Sequence, residues 1–239
     1  MKRWFNIAFL SCVLAFSAYN RPVETQNFAS LPHIDPALQA IDSLMWQQPD
    51  SALACLLPWF DTCRDAIHCV STTYDRHYAH LLLAELLYKN YYAQSNRAEL
   101  RQAVAYYDSL TSTLSNTPTL RSRHCGLDPQ SSNPSDSLFF LAARAHYING
   151  VGHYEADSLV EACTEYLKAL ETMEGHFAEK ALVGKKARLM ALMYTHLTDL
   201  FSNLYLHEQA IFFGKEALEY YRKYHEPLGM WLGFWMKLA

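Results

Sequence analysis

From residue 35 onward, apolar positions recur with the period of a helix. Across Leu182 to Leu204 they fall at 182, 189, 190, 193, 194, 197, 200, 201 and 204. Thr195, Asp199, Ser202 and Asn203 are left along a polar stripe, as in a helix with one face to bury. Punctuation then cuts the chain. Asp35-Pro36 opens a helix over 33–48, because proline's fixed φ suits a first turn, and Pro49-Asp50-Ser51 opens a second to about residue 60. Tyr74–Tyr92 and Arg97–Leu110 form a second pair around 93–96. Ser137–Tyr154 and Ser158–Met173 form a third, ended by Gly175, and Ala178–Tyr205 and Glu208–Tyr224 a fourth, stopped before Pro227. The pattern predicts an all-α chain: an α-solenoid of four stacked antiparallel helix pairs over 35–226, then an orphan apolar helix at 227–239.

Composition agrees with this picture. Of 239 residues, 51% are apolar and 18% charged, which excludes wholesale disorder, and only 8 Gly and 9 Pro interrupt the chain. With 20 Lys and Arg against 24 Asp and Glu, the formal charge is −4, leaving no basic excess for gripping phosphate backbones. Nucleic acid is therefore not expected as a direct partner.

The later second helices share a spacing of small and aromatic residues. Ala103 is followed by Tyr107 and Leu110, Ala162 by Tyr166 and Ala169, and Ala210 by Gly214 and Ala217. Twelve residues before Ala162 stands Gly150, and twelve before Ala210 stands Thr198, flanked by Tyr194, Leu197 and Phe201. The same count from Ala103 lands on Tyr91. These two half-patterns resemble the tetratricopeptide repeat, W-x2-L-G-x2-Y followed by A-x3-F/Y-x2-A. Ala103, Tyr107, Gly150, Ala162, Tyr166, Ala169, Tyr194, Leu197, Thr198, Phe201, Ala210 and Ala217 are the residues that would pack the repeats. Ala103 and Ala162 lie 59 residues apart, against a period of about 34 for that repeat. The surplus matches a Pro- and Ser-rich loop at 112–136, read as an insertion at an outward turn; a regulatory loop built on Cys125 is the rival. Ala162 to Ala210 is also long, which extends the first helix of pair four toward Ala178.

Stacking of this kind implies that first helices line a concave groove for an extended peptide or partner helix. The residues turned away from each second helix are Glu85, Tyr88 and Tyr92, then Arg144, Tyr147 and Tyr154, then Thr195, Asp199 and Asn203. Tyrosines with one arginine make a recognition surface, or else pack between neighbouring repeats.

Met1–Ala18 reads as an export signal or N-terminal anchor, with Lys2 and Arg3 before an apolar stretch at 4–16 that would supply any membrane tether. Cleavage near Ala18 and lipidation at Cys12 are alternatives. The expected location is the periplasm or the membrane-associated envelope of a bacterium. Beyond Cys12, five cysteines remain, an odd number that argues against a fully paired framework, although Cys63 and Cys69 are spaced to close a small loop. Cys63, His68, Cys69, His77 and His80 lack the paired C-x2-C spacing of a zinc site, so no metal is expected. His146 and His153 fall at packing positions. Without a P-loop, G-x-G-x-x-G, nucleophile elbow or HExxH motif, neither cofactor nor catalysis is expected. The apolar terminus places Trp231, Phe234 and Trp235 where a polar cap is usual, offering self-association or a protein contact. The expected function is a protein-interaction scaffold of the envelope. The alternative is a shortened N-terminal sensor part of a repeat-containing transcriptional regulator, and an enzyme is the remotest reading.

Overall fold

The computed structural model describes residues 34–65, 73–92, 98–116, 134–182 and 184–224, all within one compact unit. Every regular element among them is helical: α1 (Pro36–Leu44), α2 (Pro49–Asp65), α3 (Thr73–Lys89), α4 (Ala98–Ser115), α5 (Pro134–Glu155), α6 (Leu159–His176), α7 (Lys185–Asn203) and α8 (His207–Tyr224), with a 3-10 turn at Glu179–Ala181. None of these helices is long and apolar enough to cross a membrane.

Neighbours pack in pairs, α1 on α2, α3 on α4, α5 on α6 and α7 on α8, and the last two pairs are the most extensively packed. Successive pairs then meet through α2–α3, α4–α5 and α6–α7, while the first helices α1, α3, α5 and α7 also touch in sequence. This is stacking of the α-solenoid kind, with one face built from first helices alone. The start of the stack is tied down by Asp35. Its Oδ1 accepts from the Ala37 backbone N–H at 2.8 Å as an N-cap, its Oδ2 accepts from Trp59 Nε1 at 2.9 Å, and its own N–H donates to Asp75 at 3.0 Å.

One turn recurs at the ends of three first helices. Tyr91, Asp157 and Tyr205 take φ values of 60, 59 and 58°. The N–H of the next residue (Tyr92, Ser158, Leu206) donates to the carbonyl five residues back (Leu87, His153, Phe201) at 2.9 Å each time. This left-handed terminus is usually given to glycine, and a side chain there costs on the order of 1 kcal/mol. Seven residues before each turn stand Ala84, Gly150 and Thr198, all buried. The small residue of pair two is therefore Ala84. Tyr91, where the twelve-residue count pointed, is 98% exposed. A longer connection to α4 displaces the count in that pair alone.

Gly150 explains the closeness of α5 and α6. A Cβ there would lie 2.7 Å from two ring carbons of Tyr166 and 3.3 Å from the Ala162 carbonyl oxygen, and Tyr166 is fully buried with no room to retreat. This contact offsets the roughly 1 kcal/mol that glycine costs inside a helix.

Several boundaries differ from expectation: α2 runs on to Asp65 past the expected end near residue 60, and α6 continues through Gly175 to His176. α7 starts at Lys185 instead of near Ala178, because Phe177 and Leu182 turn inward from the connector and Gly184 takes a φ of 54°. The surplus before pair four goes into a folded link rather than into helix. The predicted loop at 112–136 is shorter at both ends, since α4 continues to Ser115 and α5 opens at Pro134, where a proline suits the first turn. The Met1–Ala18 segment with Cys12, the side chain of Cys63, Cys69, Cys125 and the 227–239 segment with Trp231, Phe234 and Trp235 lie outside the described residues.

Candidate functional site

The first-helix face is held together by one chain of ion pairs that visits all four first helices. Arg144 of α5 donates from Nε and Nη2 to both carboxylate oxygens of Glu85 on α3, at 2.9 and 2.6 Å. Its Nη2 also donates to Asp42 of α1 at 2.8 Å, and the other Asp42 oxygen accepts from Lys185 at the start of α7, at 2.8 Å. Arg144, Glu85 and Asp42 are all buried. Burial alone would push the Asp42 carboxyl up, but Arg144 and Lys185 outweigh it and hold the group below the usual carboxylate range. The planar fork of arginine suits this bidentate geometry, whereas lysine would meet a single oxygen.

Above this network opens a small cleft of about 120 Å³. Its walls come from Trp46 after α1, Glu85, Tyr88 and Lys89 on α3, Phe140, Arg144, Tyr147 and Ile148 on α5, and Lys185, Arg188, Leu189 and Leu192 on α7. Lys89 Nζ sits 3.5 Å from the centre of the Trp46 ring and the Arg188 guanidinium 4.1 Å from it. Two cations on one indole gain from its π-face but repel each other. Burial lowers the Lys89 ammonium to about 8, with Arg188 and Arg144 adding to the depression against the pull of Glu85.

The residues proposed from sequence occupy several environments on this face. Glu85, Arg144 and Tyr147 form the buried floor. Tyr88 is half-buried and meets His196 Nε2 at 3.3 Å. Tyr154 accepts from Asn203 Nδ2 at 2.5 Å, joining α5 to α7 at the exposed end, and Tyr92 is 58% exposed just past α3. Thr195 donates to the Ala191 carbonyl at 2.8 Å and lies 3.3 Å from the Tyr221 hydroxyl of α8, so it turns partly toward the second helix. Asp199 is half-buried. Burial raises the Tyr88 and Tyr166 hydroxyls, with Tyr154, Glu155 and Asp199 among the groups adding to it. Of the packing residues, Ala103, Tyr107, Ala162, Tyr166, Ala169, Leu197 and Ala217 are fully buried. Tyr194, Thr198 and Ala210 are nearly so, and Phe201 is half-buried.

Sequence reasoning missed three things here. His196 is encircled by Tyr88, Tyr147, Tyr154 and Tyr166, with ring centres 5.5 to 6.4 Å away. Trp46 and the cationic opening of α7 were not singled out. The signal for the latter was present, because Lys185, Lys186 and Arg188 with no acid in the first turn oppose the helix dipole. His146, expected at a packing position, is buried, but between Asp108 at 2.8 Å and Glu165 at 2.7 Å. His77 stacks on Tyr106 and His80 packs against Phe60.

No protein-family model, curated protein or solved structure matches the chain.

Proposed function

We propose that this chain is a tetratricopeptide-type repeat protein of the bacterial cell envelope whose first-helix face binds a protein partner, as an extended peptide or a helix, with no catalysis of its own. The observation that carries the proposal is the cleft itself, walled by Trp46 and by α3, α5 and α7, with aromatic, cationic and aliphatic side chains facing one space. Aromatic and arginine side chains in a partly enclosed groove are the residues that most often dominate protein interfaces. The recurring left-handed turns and the buried Ala84, Gly150 and Thr198 support the repeat assignment. The envelope location rests on the charged and apolar pattern of residues 1–18.

The test is affinity capture from an envelope fraction, followed by a binding titration of the captured partner on wild type and on a Tyr88→Ala, Tyr154→Ala double variant. Both tyrosines are half-buried, so the variant should remain folded, as circular dichroism would check. Affinity is expected to fall by roughly tenfold or more; unchanged affinity in a folded variant removes the proposal.

A further inference from the structure

Lys89 closes α3 and lines the cleft beside Trp46, with its ammonium 3.5 Å from the centre of the indole ring. It is half-buried, and among the described residues no carboxylate lies within ion-pairing distance of it. The charged groups around it are Glu85 on its own helix, Asp42 of α1, Arg144 of α5, and Lys185 and Arg188 of α7. Both carboxylates are turned to other cations, Glu85 to Arg144, and Asp42 to Arg144 and Lys185. The Arg188 guanidinium shares the Trp46 ring with Lys89, 4.1 Å from its centre, and of two like charges only the lysine can readily give up its proton. Tyr88 and Tyr147 line the same cleft and stay neutral, because burial raises both hydroxyls. Lys89 is thus a desolvated amine beside a second cation, the setting in which a lysine becomes a nucleophile. Burial first, then the neighbouring arginines, lowers its ammonium to about 8. At pH 7 roughly 300 times more of it is neutral than of an ordinary lysine.

The cleft restricts what this amine can meet. Phe140, Leu189 and Leu192 add ring and hydrocarbon wall to Trp46, and about 120 Å³ has room for about four water-sized groups. A polar body of that size would leave its hydroxyls facing the wall, whereas a short hydrocarbon would be buried by it. We propose that Lys89 is a site of reversible covalent attachment for a short apolar aldehyde, held as a Schiff base. The Nζ lone pair attacks the carbonyl carbon, and one proton passes from nitrogen to the carbonyl oxygen, giving a carbinolamine. The C–O bond then breaks, the hydroxyl leaves with the second N–H proton as water, and the C=N bond forms, with no net oxidation or reduction. A neutral imine no longer opposes Arg188. The site is local to the cleft and does not depend on the partner-binding reading above.

Reductive trapping of the full chain tests it: butanal with cyanoborohydride, which delivers hydride to the imine carbon and fixes the adduct, followed by peptide mapping. Lys168, whose side chain is 51% exposed, is the internal reference, and mapping separates both lysines from the chain's α-amine, which ordinarily titrates near 8. At pH 7 Lys89 is expected to be labelled about tenfold or more faster than Lys168, with the ratio shrinking several-fold by pH 10 as the reference lysine also loses its proton. Glyceraldehyde, an aldehyde with a polar body, should label Lys89 with a several-fold smaller preference over Lys168 than butanal does. Labelling of Lys89 no faster than Lys168 at pH 7 overturns the proposal, as does a ratio that stays constant from pH 7 to pH 10. Equal preference with butanal and glyceraldehyde also overturns it, since the amine would then react without the cleft.

Discussion

Arg144 and His146 stand two residues apart on α5, on nearly opposite sides of the helix. Each is a buried cation between two carboxylates, yet they belong to different halves of the molecule. Arg144 faces the first helices and joins α5 to α3 and α1, and through Asp42 to Lys185 of α7. His146 faces the second helices and joins α5 to Asp108 of α4 and Glu165 of α6. Both ring nitrogens of His146 lie within hydrogen-bond distance of carboxylate oxygens, which only accept when ionised, so the imidazole is held doubly protonated. Burial lowers its pKa, but the bonds to Asp108 and Glu165 outweigh this and raise it to about 9. Glu165, pushed up by burial and pulled down further by His146 and Asn149, falls to about 2. The floor of the cleft is thus fixed by a guanidinium that does not titrate, while the stacking of second helices rests on an imidazolium that does.

The largest effect should come from breaking the arginine side. Arg144→Met leaves Glu85 and Asp42 buried without their shared partner and is expected to cost roughly 3 to 5 kcal/mol in urea unfolding. Adding Glu85→Gln should recover part of that loss; a deficit under 1 kcal/mol for the single variant would mean that the network does not hold the face together.

The histidine side should show itself through pH. A folded pKa of about 9, above the ordinary 6.5, means that the His146 contribution is fully present below pH 6.5 and is lost as pH rises through 9. Its size is on the order of 3 kcal/mol. Lys89 works in the opposite sense, because its depressed pKa of about 8 adds stability as pH climbs from there toward 10.5. The comparison is therefore made between wild type and His146→Gln at pH 6 and pH 9.5, where the variant should lack the alkaline loss attributed to His146. On the acid side, the Glu165 contribution is present above pH 4.5 and disappears as pH falls through about 2.

Gly150 lies one turn past His146, against α6. Gly150→Leu should lower stability by about 1 to 3 kcal/mol or more through overpacking against Tyr166, and an unchanged melting temperature would show that α5 and α6 can separate at no cost. The smallest effect belongs to Asp108, whose side chain is 48% exposed against 13% for Glu165. Asp108→Asn should cost under about 1 kcal/mol, and Glu165→Gln more than that. The reverse order would show that the exposed carboxylate, not the buried one, anchors His146.

The contrast also marks where sequence information stops. Helical periodicity, Asp35-Pro36 and the spacing around Gly150 and Ala162 are local properties, and they place four helix pairs within a few residues of the observed ones. The register of pair two was lost because a longer turn shifted the count, and nothing local distinguishes Ala84 from other alanines. Charge pairing is not local at all. Arg144 was visible as a lone arginine among tyrosines, but Glu85 is 59 residues away and Asp42 is 102, so only the stacked helices bring the three together. Trp46 and Lys89 were similarly ordinary helix-end residues until the stack placed them beside Arg188.

In the function we propose, the first-helix face is the working surface. It is tested most directly by installing a photocrosslinker at Leu192, in the cleft, and separately at Val160, which is 73% exposed on the second helix α6. Crosslinking in the native cell should yield a discrete protein adduct from Leu192 and none from Val160. The same adduct from both positions, or an adduct from Val160 alone, would contradict it.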